Sequence, residues 1–446
     1  MNGVSAVWLS TDTNNWRINL PRGPNWESFA HQIASARAYL TAHQAQRWLL
    51  HQPQRNDFCV WLIALLCESK TPILPSNGQP DTLKNLRACA DAVVPSGPPD
   101  PYSAWGGSLE LRGALTSQVV FYTSGSNGEP KAVHKTLRQL FCEVQTLEAT
   151  FGKQLGTSEV VTTITHQHIY GLLFTVLWPL CAGRNVARTR IEYPEQWQRY
   201  HRTAERSYVM VSSPAHLEHF SQAICVCEFP GALQGVFSSG GPLPSEISEA
   251  FITAQIQPPI EVYGSTETGG IAWRQSYTFN QPFHVFETIE IASGKDQLLR
   301  VRSPHLAGPE WYTTSDKVSL LSKAEFVILG RADRVIKLAE KRLSLNEMEA
   351  LAEQLHWVKQ AKCCVLEGQT RAELGLVITL NDAGEAMLYR EGRFGIRQML
   401  RHHLSHRFEP VVLPRRFRYV ERMPYNDTGK ITQAALSRLF VENPEC

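Results

Sequence analysis

Val119-Val-Phe-Tyr-Thr-Ser-Gly-Ser-Asn-Gly-Glu-Pro-Lys131 is the stretch on which the reading of this chain turns. A short β-type run, Val119–Tyr122, stops abruptly at glycines and hydroxyl residues. Such a turn exposes backbone N–H groups and Ser/Thr hydroxyls, which suit phosphate oxygens. Lys131 adds a compact positive charge. The spacing is not that of a Walker A loop, Gly-x4-Gly-Lys-Ser/Thr, so a P-loop phosphotransferase is disfavoured. By itself a Gly/Ser-rich turn is more often only a turn. A second stretch, Tyr263-Gly-Ser-Thr-Glu-Thr-Gly-Gly270, follows another β-type run, Ile260–Tyr263. Its Glu267 is a hard carboxylate that could hold Mg²⁺ beside a phosphate loop, although alone it would read as a solvated loop residue.

Outward from these stretches, the runs Tyr208–Val211 and Gly235–Phe237 alternate with helical segments, which argues for an α/β core. Upstream, Phe29, Ile33, Ala36 and Leu40 give Glu27–Leu50 a helical spacing. The uncharged run Phe58–Cys67 reads as a buried helix leading into a short strand, and Pro95–Gly107 as a loop. Val160–Gly183 is uncharged but contains His166, Gln167, His168, four Thr and Pro179, so it reads as core rather than a membrane span. After Phe326–Leu329 the character changes: Cys363–Leu366 and Leu374–Leu380 look like strands and Gly395–Arg407 like a basic helix.

With 446 residues, at least two units are expected at roughly 100–200 residues per domain. Hydrophobic residues at 43% and charged residues at 19% exclude disorder and coiled coil. A net charge of +2 gives no reason to propose nucleic acid or a membrane as partner. Ten cysteines without a CxxC pair, with Cys363 and Cys364 adjacent, suggest buried, reduced thiols in a cytoplasmic protein. The first residues, MNGVSAVWLSTDTNNWR, lack a basic region followed by an apolar core, so no signal peptide is expected.

The two loops together resemble the signature loops of the adenylate-forming superfamily, which includes acyl- and aryl-CoA synthetases and the adenylation domains of peptide synthetases. Further resemblances occur in order. His168-Ile-Tyr-Gly171 is similar to the gate ahead of the acid pocket, and Gly240-Gly-Pro-Leu-Pro244 to the loop against adenine. Thr314-Ser-Asp316 resembles the element whose Asp binds the ribose hydroxyls. Gly330-Arg-Ala-Asp333 resembles the hinge, and Pro424-Tyr-Asn-Asp-Thr-Gly-Lys430 the loop of the catalytic lysine.

The resemblance implies a large α/β N-terminal adenylating domain of layered sheets and helices (1–332) and a small, mobile α+β C-terminal domain (333–446), pivoting near Asp333. It implies ATP and Mg²⁺ as cofactors, with CoA or phosphopantetheine as acceptor. Lys430, Glu267 and His168 take the catalytic positions. Thr123, Ser124, Gly125, Ser126, Asn127, Gly128, Lys131, Gly240, Gly241, Pro242, Tyr263, Gly264, Thr266, Asp316 and Arg331 take the nucleotide-binding ones, and Glu267 with Thr123 the metal. Departures from the family pattern include Asn127 for Thr, Ala132 and Ser315 for Gly, and Glu340 for a Gly in the loop that lines the pantetheine tunnel.

His166-Gln-His168 carries no carboxylate to meet a substrate amine, which disfavours an amino acid; Ile169, Tyr170, Leu172, Leu173 and Phe174 suit an aryl or acyl carboxylic acid. Residues 390–430 hold ten Lys/Arg against four Asp/Glu, a net +6, and the rest of the chain is 34 against 38, or −4. Arg393, Arg397 and Arg401 recur at helical spacing, and Arg415, Arg416 and Arg418 form a second cluster. This basic segment either is a solvated face or docks an acidic acceptor, CoA or an acyl carrier protein. The chain is short before its phosphate loop, resembling compact ligases of aryl polyene and polyketide-like pathways. A catalytically silent nucleotide-binding regulator or scaffold is the alternative of a different class.

Overall fold

The hairpin around the phosphate-type loop edges a five-stranded sheet. In the computed structural model, Gln118–Ser124 pairs antiparallel with Pro130–Thr136, and Thr71–Leu74, Arg47–Leu49 and Ala92–Val93 extend the sheet in parallel. The structure describes residues 16–18, 24–97, 109–111, 116–124, 130–204, 206–224, 232–277, 281–338, 341–366, 373–426 and 431–441. Of the residues singled out above, Gly125, Ser126, Asn127, Gly128, Glu340 and Lys430 lie outside these, as does most of Pro95–Gly107.

A ten-stranded sheet forms the second layer. Its parallel half runs Glu159–Thr162, Tyr208–Ser212, Leu233–Ser238 and Ile260–Ser265. From Ile260–Ser265 onward, Gly269–Gln275, Phe283–Val285, Glu325–Arg331, Tyr312–Leu320, Leu298–Arg302 and Glu290–Ser293 all pair antiparallel. Between the sheets lies helix Arg55–Cys67, whose residues Phe58, Val60 and Trp61 through Cys67 are buried. A helix apolar on every face has no place at a surface, which is why the uncharged run forms the centre of the core. Helix Leu137–Leu155 follows directly from the hairpin. Thr136 starts it with a capping box, accepting from Gln139 N–H while the Gln139 side chain accepts from Thr136 N–H.

The structure departs from the expected helix Glu27–Leu50. The helix is Pro24–Thr41, and Arg47–Leu49 is a strand. The apolar spacing ends at Leu40, and Asp91 accepts the backbone N–H groups of Gln46 and Arg47 at 3.1 and 2.8 Å, drawing them to the sheet. Val160–Gly183 is core, as expected. It folds as a strand end, a loop and three short helical turns, the middle one, Leu173–Leu177, a π-helix. A Cβ at Gly171 would stand 1.9 Å from the Thr165 carbonyl oxygen, so only glycine lets helix Ile169–Leu172 lie against that loop.

Beyond Arg331 the chain makes a 3-10 turn, Ala332–Arg334, and a hairpin, Val335–Leu338 with Lys341–Ser344. It then forms a three-stranded sheet of Val358–Leu366, Glu373–Leu380 and Arg416–Tyr419. A separate apolar cluster, Leu338 to Phe417, packs these elements together. Lys359 of this sheet pairs with Glu218, on helix Pro214–Ile224, at 2.8 Å. The expected basic helix is the second half of Asp382–Ser405, which kinks at Gly392 with φ +69°.

Much of the basic excess is engaged internally. Arg401 donates to the Pro414 carbonyl, Arg415 pairs with Glu373 at 3.5 Å, Arg416 donates to Phe440 O at 3.0 Å and Arg418 to Leu439 O at 2.8 Å. Arg393 and Arg397 remain exposed. Among the described residues Cys59, Cys67, Cys89, Cys142, Cys181, Cys363 and Cys364 are free thiols. Burial pushes Cys59, Cys67, Cys181 and Cys364 up to about 12.

His166 is locked into this core. Its Nε2 donates to the Gln52 carbonyl at 3.0 Å, and its ring lies 4.6 Å from that of Phe58. Burial lowers its pKa to about 4, and burial also lowers that of His305. Both imidazoles are therefore neutral when folded and gain protons on unfolding below their ordinary values. For His166 the contribution, roughly 3 kcal/mol, is complete above about pH 6.5 and is lost as pH falls toward 4; His305 acts in the same direction. Urea unfolding between pH 7 and 5 should show this slope, and His166→Asn should flatten it. An unchanged slope would assign the pH dependence elsewhere.

Candidate active site

Two charged units assemble around the turn between Ile260–Ser265 and Gly269–Gln275. Gly264 makes the turn close: a Cβ there would stand 2.2 Å from the Gly269 carbonyl oxygen. Ser265 N–H donates to Thr268 Oγ1 at 3.0 Å and Thr268 N–H to Ser265 Oγ at 3.2 Å. Glu267 is thereby presented toward the hairpin of the other sheet, where Lys131 Nζ meets Glu267 Oε1 at 2.9 Å. Burial pushes the Glu267 carboxyl upward. The Lys131 ammonium, its own backbone N–H and the Ser265 hydroxyl outweigh that and hold it below the ordinary value. Glu267 in turn raises Lys131. Thr123 lies opposite Lys131 in the hairpin register, its hydroxyl 3.4 Å from the Lys131 carbonyl oxygen. Ser124 pairs with Pro130 at the hairpin end.

The second unit lies on the same chain segment. Tyr263 donates its hydroxyl to Asp316 Oδ2 at 2.6 Å, and its ring packs on Phe283 and Phe326. Burial, with the Asp316 carboxylate, raises the Tyr263 pKa and keeps its proton in place. Asp316 faces Arg331 across adjacent strands, with Oδ1 3.7 Å from the guanidinium. Asp316 N–H donates to Thr314 Oγ1 at 3.1 Å, which fixes the backbone that carries the carboxylate.

Gly240, Gly241 and Pro242 follow Leu233–Ser238, the strand beside Ile260–Ser265. Gly240 has φ +97°, a left-handed conformation natural to glycine. Ser239 Oγ donates to Val262 O at 2.8 Å and Leu243 N–H to the buried Glu261 carboxylate at 3.3 Å, tying both sides of this loop to the neighbouring strand. His168 immediately precedes the short helix Ile169–Leu172, beyond the carboxyl end of Glu159–Thr162. These loops therefore share the carboxyl ends of parallel strands, where open α/β sheets bind ligands. Thr266 is half-buried in the Glu267 turn. Asp333 belongs to the 3-10 turn after Arg331. Around the position of Lys430, which lies outside the described residues, Tyr425 and Ile431 form an isolated antiparallel bridge.

The donor set fits a hard divalent cation brought with a nucleotide. Among the described residues no group of three or more His, Cys, Asp or Glu forms a metal cluster. Glu267 stands as one carboxylate among hydroxyls, and magnesium commonly takes one or two carboxylates and fills its remaining positions with phosphate oxygens and water.

Sequence reading missed a buried polar group behind this turn. Lys135, Gln139, Glu143 and His305 are each at most 6% exposed and bind its backbone or one another. The available signal was the four-residue spacing of Lys135, Gln139 and Glu143, which is also that of a solvated helix face.

A family model described as AMP-binding enzyme matches residues 113–290. A 4-coumarate–CoA ligase from Rhodobacter capsulatus is 28% identical over 240 residues, covering 53% of this chain and 58% of that protein. Its counterpart in Cereibacter sphaeroides is 26% identical over 229 residues, covering 51% and 52%. The chain thus spans little more than half the length of these curated relatives. The solved structure of the O-succinylbenzoate coenzyme A synthetase MenE from Bacillus subtilis, in complex with ATP and magnesium ion, shares the fold. Its TM-score is 0.66 at 15% identity, covering 91% of this chain and 92% of that one. Residues 113–290 thus match the AMP-binding enzymes, and the chain shares the fold of MenE.

Proposed function

We propose that this chain is an AMP-forming acid–thiol ligase. It activates an aryl or acyl carboxylic acid with ATP to an acyl adenylate, then transfers the acyl group to the pantetheine thiol of CoA or an acyl carrier protein. The observation that carries this reading is the segment 263–267, with Glu267 paired to Lys131 at one end and Tyr263 bonded to the Asp316–Arg331 pair at the other. One end suits a polyphosphate and its cation, the other a ribose diol.

Adenylation brings a carboxylate against the α-phosphate, so two anions must approach, and electrostatic stabilisation with positioning dominates the barrier. Thr123, Ser124 and residues 125–128 hold the leaving pyrophosphate, and Lys131 supplies charge beside them. Asp316, held between the Tyr263 hydroxyl and Arg331, accepts from both ribose hydroxyls. Gly240–Pro242 packs on adenine. Lys430 bridges the attacking carboxylate and the α-phosphate. Magnesium held at Glu267, with Thr123 beside it, supplies further charge neutralisation.

The aryl side of the substrate range is supported by the 4-coumarate–CoA ligases, and the absence of a carboxylate in His166–His168 supports an acid without an amine. His168 stands at the entrance to the acid pocket. The free thiols among the described residues support a cytoplasmic location.

The same reading divides the chain into 1–332 and 333–446. Arg331 is paired with Asp316 in the ten-stranded sheet, whereas Arg334 makes a bidentate contact with the buried Glu349 and also reaches Asn346. This supports a pivot confined to Ala332 and Asp333. For the acceptor we favour a carrier protein, docked by Arg393 and Arg397.

Magnesium-dependent ATP–pyrophosphate exchange, stimulated by one member of a panel of aromatic and aliphatic acids, tests the activity. Exchange with none of them would favour a silent nucleotide-binding protein. Asp316→Asn should raise KM for ATP about tenfold, leaving KM for the acid unchanged. Lys430→Ala should lower adenylation by about 100-fold or more but spare thioester formation from supplied acyl adenylate. Equal loss in both steps would contradict its role. Joint replacement of Arg393 and Arg397 by Glu should cut kcat/KM for carrier protein about tenfold and leave CoA unaffected. Transfer unchanged with every carrier protein tested would remove the docking surface.

A further inference from the structure

The Glu267 turn is gripped from behind by a closed set of buried polar contacts. Lys135, near the end of Pro130–Thr136, is 3% exposed. Its Nζ donates to the carbonyl of Glu267 at 2.6 Å and to that of His305 at 2.8 Å. Gln139 Nε2 donates to the same His305 carbonyl at 3.2 Å. Glu143, 5% exposed, accepts from Gly270 N–H at 2.6 Å, and His305 Nδ1 donates to the Gly270 carbonyl at 3.1 Å. Gly269, at φ +69°, has no room for a side chain, since a Cβ there would meet Glu143 Oε2 at 2.5 Å. Both ends of the turn are therefore fixed by residues 135–143 and by His305.

A buried ammonium is costly unless its charge is compensated. The hydrogen bonds of Lys135 within the described residues go to carbonyls. Burial lowers its pKa to about 8, with the negative charges of Glu143 and Glu267 opposing that fall. An apolar side chain would fill the space without this desolvation cost. What the lysine supplies is a fixed position for the backbone of Glu267 itself. Lys131 and Lys135 lie on the same strand, so one strand holds Glu267 at both its carboxylate and its carbonyl.

We propose that Lys135 is a positioning residue for Glu267, and that the Lys135–His305–Glu143 brace sets the affinity of the site for magnesium–ATP. The inference rests on the ligase reading, in which Glu267 holds the cation. Lys135→Met removes the donor and retains most of the side-chain volume. By calorimetry it should weaken ATP binding in MgCl2 at least tenfold, while ATP binding in EDTA stays within about twofold of wild type. KM for the acid in the exchange assay should be unchanged.

Glu143→Gln, close in shape, tests the brace from its other side should Lys135→Met fail to fold. It should weaken magnesium–ATP binding about threefold with metal-free ATP unaffected. Wild-type affinity for magnesium–ATP in the folded variants would overturn the inference. So would equal loss of ATP with and without metal, since that marks a merely structural role. If the wild-type protein itself bound ATP no better with magnesium than without, the assignment of Glu267 would fail, and this inference with it.

Discussion

The contact between Lys131 and Glu267 joins the hairpin of the five-stranded sheet to a turn of the ten-stranded one. Its ammonium is 60% exposed, and ion pairs of that kind are worth between nothing and about 1 kcal/mol. The pair is therefore easily exchanged. On the proposed reading a polyphosphate would take the lysine and a cation the carboxylate, at little cost to the fold. Such exchange is useful only if both partners stay in place once parted. The surrounding structure meets that need: the hairpin register fixes Lys131, the Gly264 approach fixes the turn, and buried contacts fix the backbone of Glu267.

Local chemistry made much of this legible. The uncharged run Phe58–Cys67 could only be core, and the β-type runs before the two loops are strands that deliver Thr123 and Glu267 to a shared place. Tyr263, Asp316 and Arg331, named from separate motifs, meet in space. What escaped reading depends on residues distant in sequence. Asp91 shortens the first helix by binding Gln46 and Arg47. The arginines after residue 400 count as surface charge in a sequence, but carbonyls supplied by Pro414, Leu439 and Phe440 consume three of them. Lys135, Gln139 and Glu143 have the period of a wet helix face, but Lys135 lies near the end of a strand, and Glu267, His305 and Gly270 of the second sheet and its loops bind all three.

Buried electrostatics also distinguish the two sides of the proposed pivot. Arg334 is tied into the C-terminal core by Glu349, a carboxylate 4% exposed that also accepts from Cys363 N–H at 2.7 Å. Lys362 also pairs with Glu349 at 3.2 Å, so the anchor is a network of charges around one buried carboxylate. Arg331 keeps its strand register in the large sheet. Two residues between anchors so different in their attachments leave little backbone over which any rotation can be distributed.

The Lys359–Glu218 pair bears on how such a rotation would respond to its surroundings. With side chains 46% and 24% exposed, it lies within reach of mobile ions, and at 0.15 M ionic strength charges are screened over about 8 Å. The Arg334–Glu349 anchor is shielded from them. On the proposed two-domain reading, added salt would loosen the contact between the two parts and leave each intact, making ionic strength a control on their relative orientation that acts independently of any ligand.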